Sequence, residues 1–126
     1  MAPREANVAL NISVRENQGV AILELNGRIV LGPETQSLRE QVIQLLSEGK
    51  KRIVLNLANV TYVDSAGVGT LVNAYTSATR QGGSVKLLNL SDRPRETLQL
   101  TRLLTVFDVC ENVADAVARF NQETSN

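Results

Sequence analysis

The chain has 126 residues, 43% of them hydrophobic, with 13 basic side chains against 13 acidic ones and no histidine. That length favours one domain with a core of its own, and the charge balance supplies no field that would draw in nucleic acid or an anionic membrane. Without histidine there is no Ser-His-Asp or Cys-His catalytic arrangement, and a lone cysteine cannot complete the usual zinc sites.

Val8, Leu10, Ile12 and Val14 alternate strictly, the pattern of a half-buried strand. Glu16-Asn17-Gln18-Gly19 is a turn, and Val20 to Leu25 is a second strand that completes a hairpin. Gly27 to Gly32 reads as a loop, Pro33 suits the first turn of a helix, and Leu38, Val42, Leu45 and Leu46 mark one helical face closed by Gly49. Ile53 to Leu57 is a buried strand, and Val60 to Val63 is the end of one. Val68, Leu71, Val72 and Tyr75 give a second helix that stops at Gly82-Gly83. Val85 to Leu90 is another strand. Ser91 or Asp92 caps a third helix with Pro94 in its first turn and Leu98 inside. Val106 to Val109 is a brief last strand, and Asn112 caps a final helix with Val113, Ala116, Val117 and Phe120 facing inward.

The order ββαβαβαβα, with near-continuous apolar strands, implies one α/β domain around a mixed, mostly parallel sheet carrying an N-terminal hairpin. Residues 1–7 are expected to be disordered, 8–120 to form the domain, and 121–126 to fray. Met1 to Asn7 lacks the apolar core of a secretion signal, and no stretch is long and apolar enough to span a bilayer. Cys110 cannot form an intrachain disulfide, which suits a reducing compartment. A cytoplasmic protein without direct membrane insertion is the expectation. The 3% aromatic content and the absence of Trp give no platform for stacking on single-stranded nucleic acid.

The informative corner is Val63-Asp64-Ser65-Ala66-Gly67-Val68-Gly69, where strand three meets helix two. Glycine inside a helix costs about 1 kcal/mol relative to alanine, so two glycines here answer some need for small residues. Two readings stand from the residues alone. Asp64 or Ser65 simply caps the helix, or Ser65 is a modification site at a helix start, where backbone amides and the dipole favour negative charge. A phosphate there would add about two negative charges beside Asp64 and leave the fold intact. A nucleophilic role fails, because Val63 occupies the first glycine of a nucleophile elbow and no histidine supplies a base.

Other candidates are weaker. Gly27-Arg28-Ile29-Val30-Leu31-Gly32-Pro33 either packs inward or offers a docking surface. Lys50-Lys51-Arg52 reads as a solvated end that complements a helix dipole. Gly82-Gly83 has no phosphate-loop spacing after it, and Cys110 has no basic cluster beside it to lower its pKa.

The residues Ile53-Val54-Leu55-Asn56-Leu57, then Val63 to Gly69, then Gly82-Gly83 and Leu87, and more weakly Leu103 to Phe107, resemble the STAS domains of bacterial anti-sigma factor antagonists. The resemblance spans about Val8 to Phe120. It implies a single STAS domain that works by partner switching rather than catalysis. Such a domain binds an anti-sigma factor serine/threonine kinase and frees the sigma factor, until phosphorylation of the serine matching Ser65 releases it. A phosphatase resets the cycle. ATP belongs to the kinase, so no cofactor is expected. Nor are nucleic acid or a metal, and the chain is expected to be a monomer or weak dimer. By the same resemblance Asp64, Ala66, Gly67, Val68 and Gly69, with Arg28, Val30 and Gly32, form the partner-binding surface. Gly27-Arg28-Ile29-Val30 departs from the family, many members of which carry an acid shortly after that glycine. Ala66 replaces a second hydroxyl seen in some relatives. Two alternatives stand beside this expectation: a STAS scaffold subunit of a signalling or lipid-transport complex without a phosphorylation cycle, and a nucleotide-binding domain, for which no phosphate loop is present.

Overall fold

In the computed structural model, which describes residues 10–124, β1 (Leu10–Asn17) and β2 (Val20–Ile29) form the hairpin. Gln18 and Gly19 make its two-residue turn with φ of 52° and 81°, the handedness that matches the twist of the strands they join. Val8 and residues 1–7, like 125 and 126, lie outside the described residues. Next come α1 (Pro33–Ser47), β3 (Arg52–Val63), α2 (Ser65–Arg80), β4 (Ser84–Leu88), α3 (Asp92–Leu100), β5 (Asp108–Cys110) and α4 (Val113–Thr124). The element order and the mixed, mostly parallel sheet match the sequence expectation. Strand order is β1-β2-β3-β4-β5, antiparallel only between β1 and β2.

Parallel neighbours joined in sequence by same-handed crossovers put their helices on one side of the sheet. Leu23, Leu55 and Leu87 face that side and pack with Leu38 and Val42 of α1, Leu71 of α2 and Leu98 of α3. Alternate residues Ile22, Val54 and Leu88 face the other side, where α4 brings Ala116, Val117 and Phe120. Both sheet faces are therefore covered over β2, β3 and β4, which explains why those strands read as continuous apolar runs. At roughly 2 kcal/mol for each fully buried Leu or Ile, these two layers are the main source of stability.

Several boundaries differ from the sequence reading. Gly27 to Gly32 is not wholly a loop, because β2 continues through Gly27 and Arg28 to Ile29. Register shifts fall between Glu24 and Asn26 and between Gly27 and Arg28. Such bulges bend a strand and interrupt its period, which hides it from pattern counting. Ile53 to Leu57 and Val60 to Val63 are parts of one strand. β4 stops at Leu88, where Asn89 turns with φ 58°. The last strand is Asp108–Cys110 rather than Val106 to Val109, since Val106 is exposed in a turn. Ser91 occupies the N-cap of α3 without capping it; its hydroxyl donates instead to the Val60 carbonyl at 2.8 Å and ties α3 to β3. Asn112 does cap α4, accepting from the Asp115 amide at 2.8 Å. Asn121 to Thr124, expected in a fraying tail, continue α4. Among the described residues no helix is long and apolar enough to cross a membrane.

Candidate functional site

β3 delivers its buried final residue, Val63, to the carboxyl edge of the sheet, and the chain turns at once into α2. Asp64 is the N-cap, with extended backbone, and its two carboxylate oxygens are used separately. Oδ1 accepts from the Gly67 amide at 2.7 Å, satisfying a donor that the helix itself leaves open. Oδ2 accepts from the Leu31 amide at 3.0 Å in the loop between β2 and α1. The Asp64 amide in turn donates to the Ile29 carbonyl at 3.2 Å. One residue thus caps its own helix and clamps the neighbouring loop. The two readings of this corner are compatible: Asp64 does the capping, and Ser65 is left over. Ser65 is the exposed first residue of α2, and its hydroxyl has no hydrogen-bond partner among the described residues.

The two glycines prove to have different reasons. A Cβ at position 67 would collide with the Ile29 carbonyl oxygen and stand 2.8 Å from Val63 Cγ1, so Gly67 lets α2 lie directly on the end of β2. A Cβ at position 69 would meet nothing within 4 Å. Gly69 therefore borders open surface one turn from Ser65. Gly32 has φ 127°, a backbone that L side chains rarely adopt, and its carbonyl accepts from the Thr35 hydroxyl at 3.1 Å at the start of α1.

The residues expected to bind a partner separate by depth. Ser65, Gly69 and Arg28 are exposed, whereas Asp64, Ala66, Val30 and Gly32 are partly covered. Gly67 and Val68 are buried and support the corner from beneath. Arg28 lies in β2 beside Tyr62 of β3 and forms no ion pair among the described residues. Of the apolar residues 29 to 31, which the sequence left as packing inward or offering a docking surface, Ile29 is buried, Val30 is partly covered and Leu31 is 77% exposed beside this corner. In a continued strand Leu31 would share the inward face of Ile29, but the chain leaves the sheet after Ile29 and turns it out.

The model of the STAS domain family matches residues 11–116 of the chain. The chain belongs to the STAS domain family. It is 31% identical over 100 residues to the anti-sigma-B factor antagonist of Bacillus subtilis (strain 168), covering 79% of this chain and 90% of that protein. Two solved structures share the STAS fold at lower identity. One is an anti-sigma factor antagonist from Mycobacterium paratuberculosis, with TM-score 0.74 and 18% identity, covering 87% of this chain and 92% of that one. The other is the Bacillus cell fate determinant SpoIIAA in its phosphorylated form, with TM-score 0.68 and 19% identity, covering 87% and 99%.

A second polar cluster of this STAS domain lies under α4. Lys86 of β4 is 1% exposed, with its ammonium 2.9 Å from Asp108 Oδ2 and 4.6 Å from the centre of the Phe120 ring. Asp108 also pairs with Arg119, which reaches Asp115 at 3.1 Å one turn earlier on α4. Burial pushes the Asp108 carboxyl up, but the Lys86 hydrogen bond and charge, joined by Arg119, more than offset it and hold it below the usual range. Burial pushes the Cys110 thiol up, with the Asp108 charge adding to it, so Cys110 is a poor nucleophile. At the opposite edge of the sheet from Ser65, an open groove of about 560 Å³ is lined by Lys50, Lys51 and Arg52. It sits where α1 and α2 end, and Lys50 pairs there with Glu16.

Proposed function

We propose that this STAS domain is an anti-sigma factor antagonist that binds an anti-sigma factor serine kinase, frees the sigma factor, and is switched off by phosphorylation of Ser65. The carrying observation is the exposed Ser65 hydroxyl in the first turn of α2, without a hydrogen-bond partner among the described residues and beside a carboxylate already held by two backbone amides. The kinase transfers the γ-phosphoryl group of ATP to Ser65 Oγ. An O–P bond forms there, the bond to the β,γ-bridging oxygen of ATP breaks, ADP leaves, and the hydroxyl proton passes to a base on the kinase. The domain supplies the acceptor, not the chemistry, and therefore acts as substrate and regulator rather than enzyme.

The modified corner remains folded because a helix amino end favours an anion. What changes is docking: about two negative charges now stand beside the Asp64 carboxylate on a surface that had offered a small neutral hydroxyl. Like charges brought against a partner's surface cost several kcal/mol when desolvated, enough to dissociate a complex. A phosphatase restores the hydroxyl. The names of the relatives support the reading, since the Bacillus subtilis protein is an anti-sigma-B factor antagonist and SpoIIAA has been solved phosphorylated. The cycle places the protein in the cytoplasm with its kinase.

Phosphopeptide mass spectrometry on the protein from its own cells, during growth and under stress, tests the reading. Phosphate on Ser65 with occupancy that changes between conditions is expected. A Ser65 that stays unmodified while the protein copurifies in a stable complex would instead make it a scaffold subunit.

A further inference from the structure

Six large hydrophobic side chains stand exposed among the described residues: Val14, Leu31, Ile43, Tyr62, Leu100 and Val106. Leu31 differs from the others in how it is held. Its own amide donates to Asp64 Oδ2, the Ile29 carbonyl two residues earlier accepts from the Asp64 amide, and Gly32 after it opens α1. The loop is therefore tied on both sides to the residue directly before Ser65. Leu100 is as exposed, at 79%, but ends α3 with no such tie.

We infer that Leu31 is the apolar anchor by which the kinase takes hold of this domain, and that Asp64 is the positioning residue that keeps the anchor in register with the Ser65 hydroxyl. The inference rests on the partner-switching reading above and adds the contact that confers specificity. A serine hydroxyl on a short side chain offers a kinase little to grip, and transfer requires the acceptor oxygen within about 3–3.5 Å of the reacting phosphorus. A leucine fixed through its backbone meets that need at low entropic cost, because the loop is ordered before the partner arrives. The occupant that fits is a kinase face with an apolar pocket beside its ATP γ-phosphate. Anchors of this kind dominate binding when they fill a desolvated pocket.

The test uses the purified, unphosphorylated full chain as substrate. The readout is the initial rate at which an extract of its own cells moves labelled phosphate from ATP to Ser65. Initial rates keep phosphatase action out of the result. With substrate well below saturation, Leu31→Ala should slow labelling by about tenfold or more, and raising its concentration should recover most of the loss, as expected of a docking defect. Leu31→Met should stay within about threefold of the parent, since it refills the same pocket, and Leu100→Ala should match the parent. Asp64→Ala should slow labelling too and speed hydrogen exchange at the Leu31 amide. Because the Leu31 side chain is exposed, its variants should keep the parent's amide NMR spectrum outside the loop. Equal labelling of Leu31→Ala and the parent overturns the inference and leaves the phosphorylation reading standing. No labelling of Ser65 in the parent itself overturns that reading, and the inference with it.

Discussion

The domain carries two polar clusters built on opposite principles. Under α4, Lys86, Asp108, Arg119 and Asp115 use one another, and the Phe120 ring closes over the Lys86 ammonium. At the β3–α2 corner Asp64 is equally well satisfied, but Ser65 is exposed with a hydroxyl that bonds to nothing among the described residues. The first cluster holds a helix onto a sheet and leaves no group for chemistry. The second is a rigid frame around one spare group. A perturbed carboxyl at Asp108 and a buried cysteine at Cys110 would attract attention in a search for unusual titrations. The candidate site is instead where geometry is fixed and a hydroxyl is left unused.

Substitutions can break or sharpen this contrast. The largest effect is expected at Gly67→Ala, where a methyl would meet the Ile29 carbonyl. Overpacking against backbone should cost about 3 kcal/mol, read by urea unfolding, whereas Gly69→Ala in open surroundings should stabilise α2 by up to about 1 kcal/mol. Equal effects at the two glycines would contradict their assigned roles.

Asp108→Ala should cost about 2–3 kcal/mol by removing the carboxylate from a buried ammonium. Its pH signature has a definite sign. The folded Asp108 carboxyl lies below its ordinary value. Its contribution is therefore present above the unfolded carboxyl's pKa and is lost as pH falls through the folded one. Unfolding at a series of acidic pH values should show that loss in the parent and a weaker slope in Asp108→Asn.

Asp64→Ala removes a cap and the Leu31 tie together and should cost about 1–2 kcal/mol. The smallest change in stability is expected at the residue that the proposed switch depends on most. Ser65→Ala should unfold within about 0.5 kcal/mol of the parent, yet it should bind the kinase without release. Ser65→Asp should fold and bind poorly. Calorimetric titration with the kinase would decide, and equal affinities for the two variants would remove Ser65 from the switch.

Much of this was legible without coordinates because burial on both faces writes itself into composition. Ile53-Val54-Leu55 has no polar residue because each neighbour faces a different covered side of the sheet. The helix faces of α1 and α2 were equally plain from their spacing. Reading by period failed where the backbone departed from its period: at the bulges that carry β2 to Ile29, and at Asn89, where a left-handed residue ends β4 early. Lys86, in the middle of a strand, carried no signal that Asp108, Arg119 and Phe120 would converge on it.

The sequence by itself determined the α/β order, the single domain, the absence of histidine chemistry and the corner that holds Ser65. These follow from local propensity, hydrophobic period and composition, all properties of neighbours along the chain. Only the tertiary structure decided that Gly67 is small for the sake of Ile29, that Asp64 serves two elements at once, and that Leu31 points out beside Ser65. Residues 31 and 64 are far apart along the chain, and which of them share a hydrogen bond is set by the register of β2 against β3. No local pattern encodes that register, because it emerges only when the two strands pair.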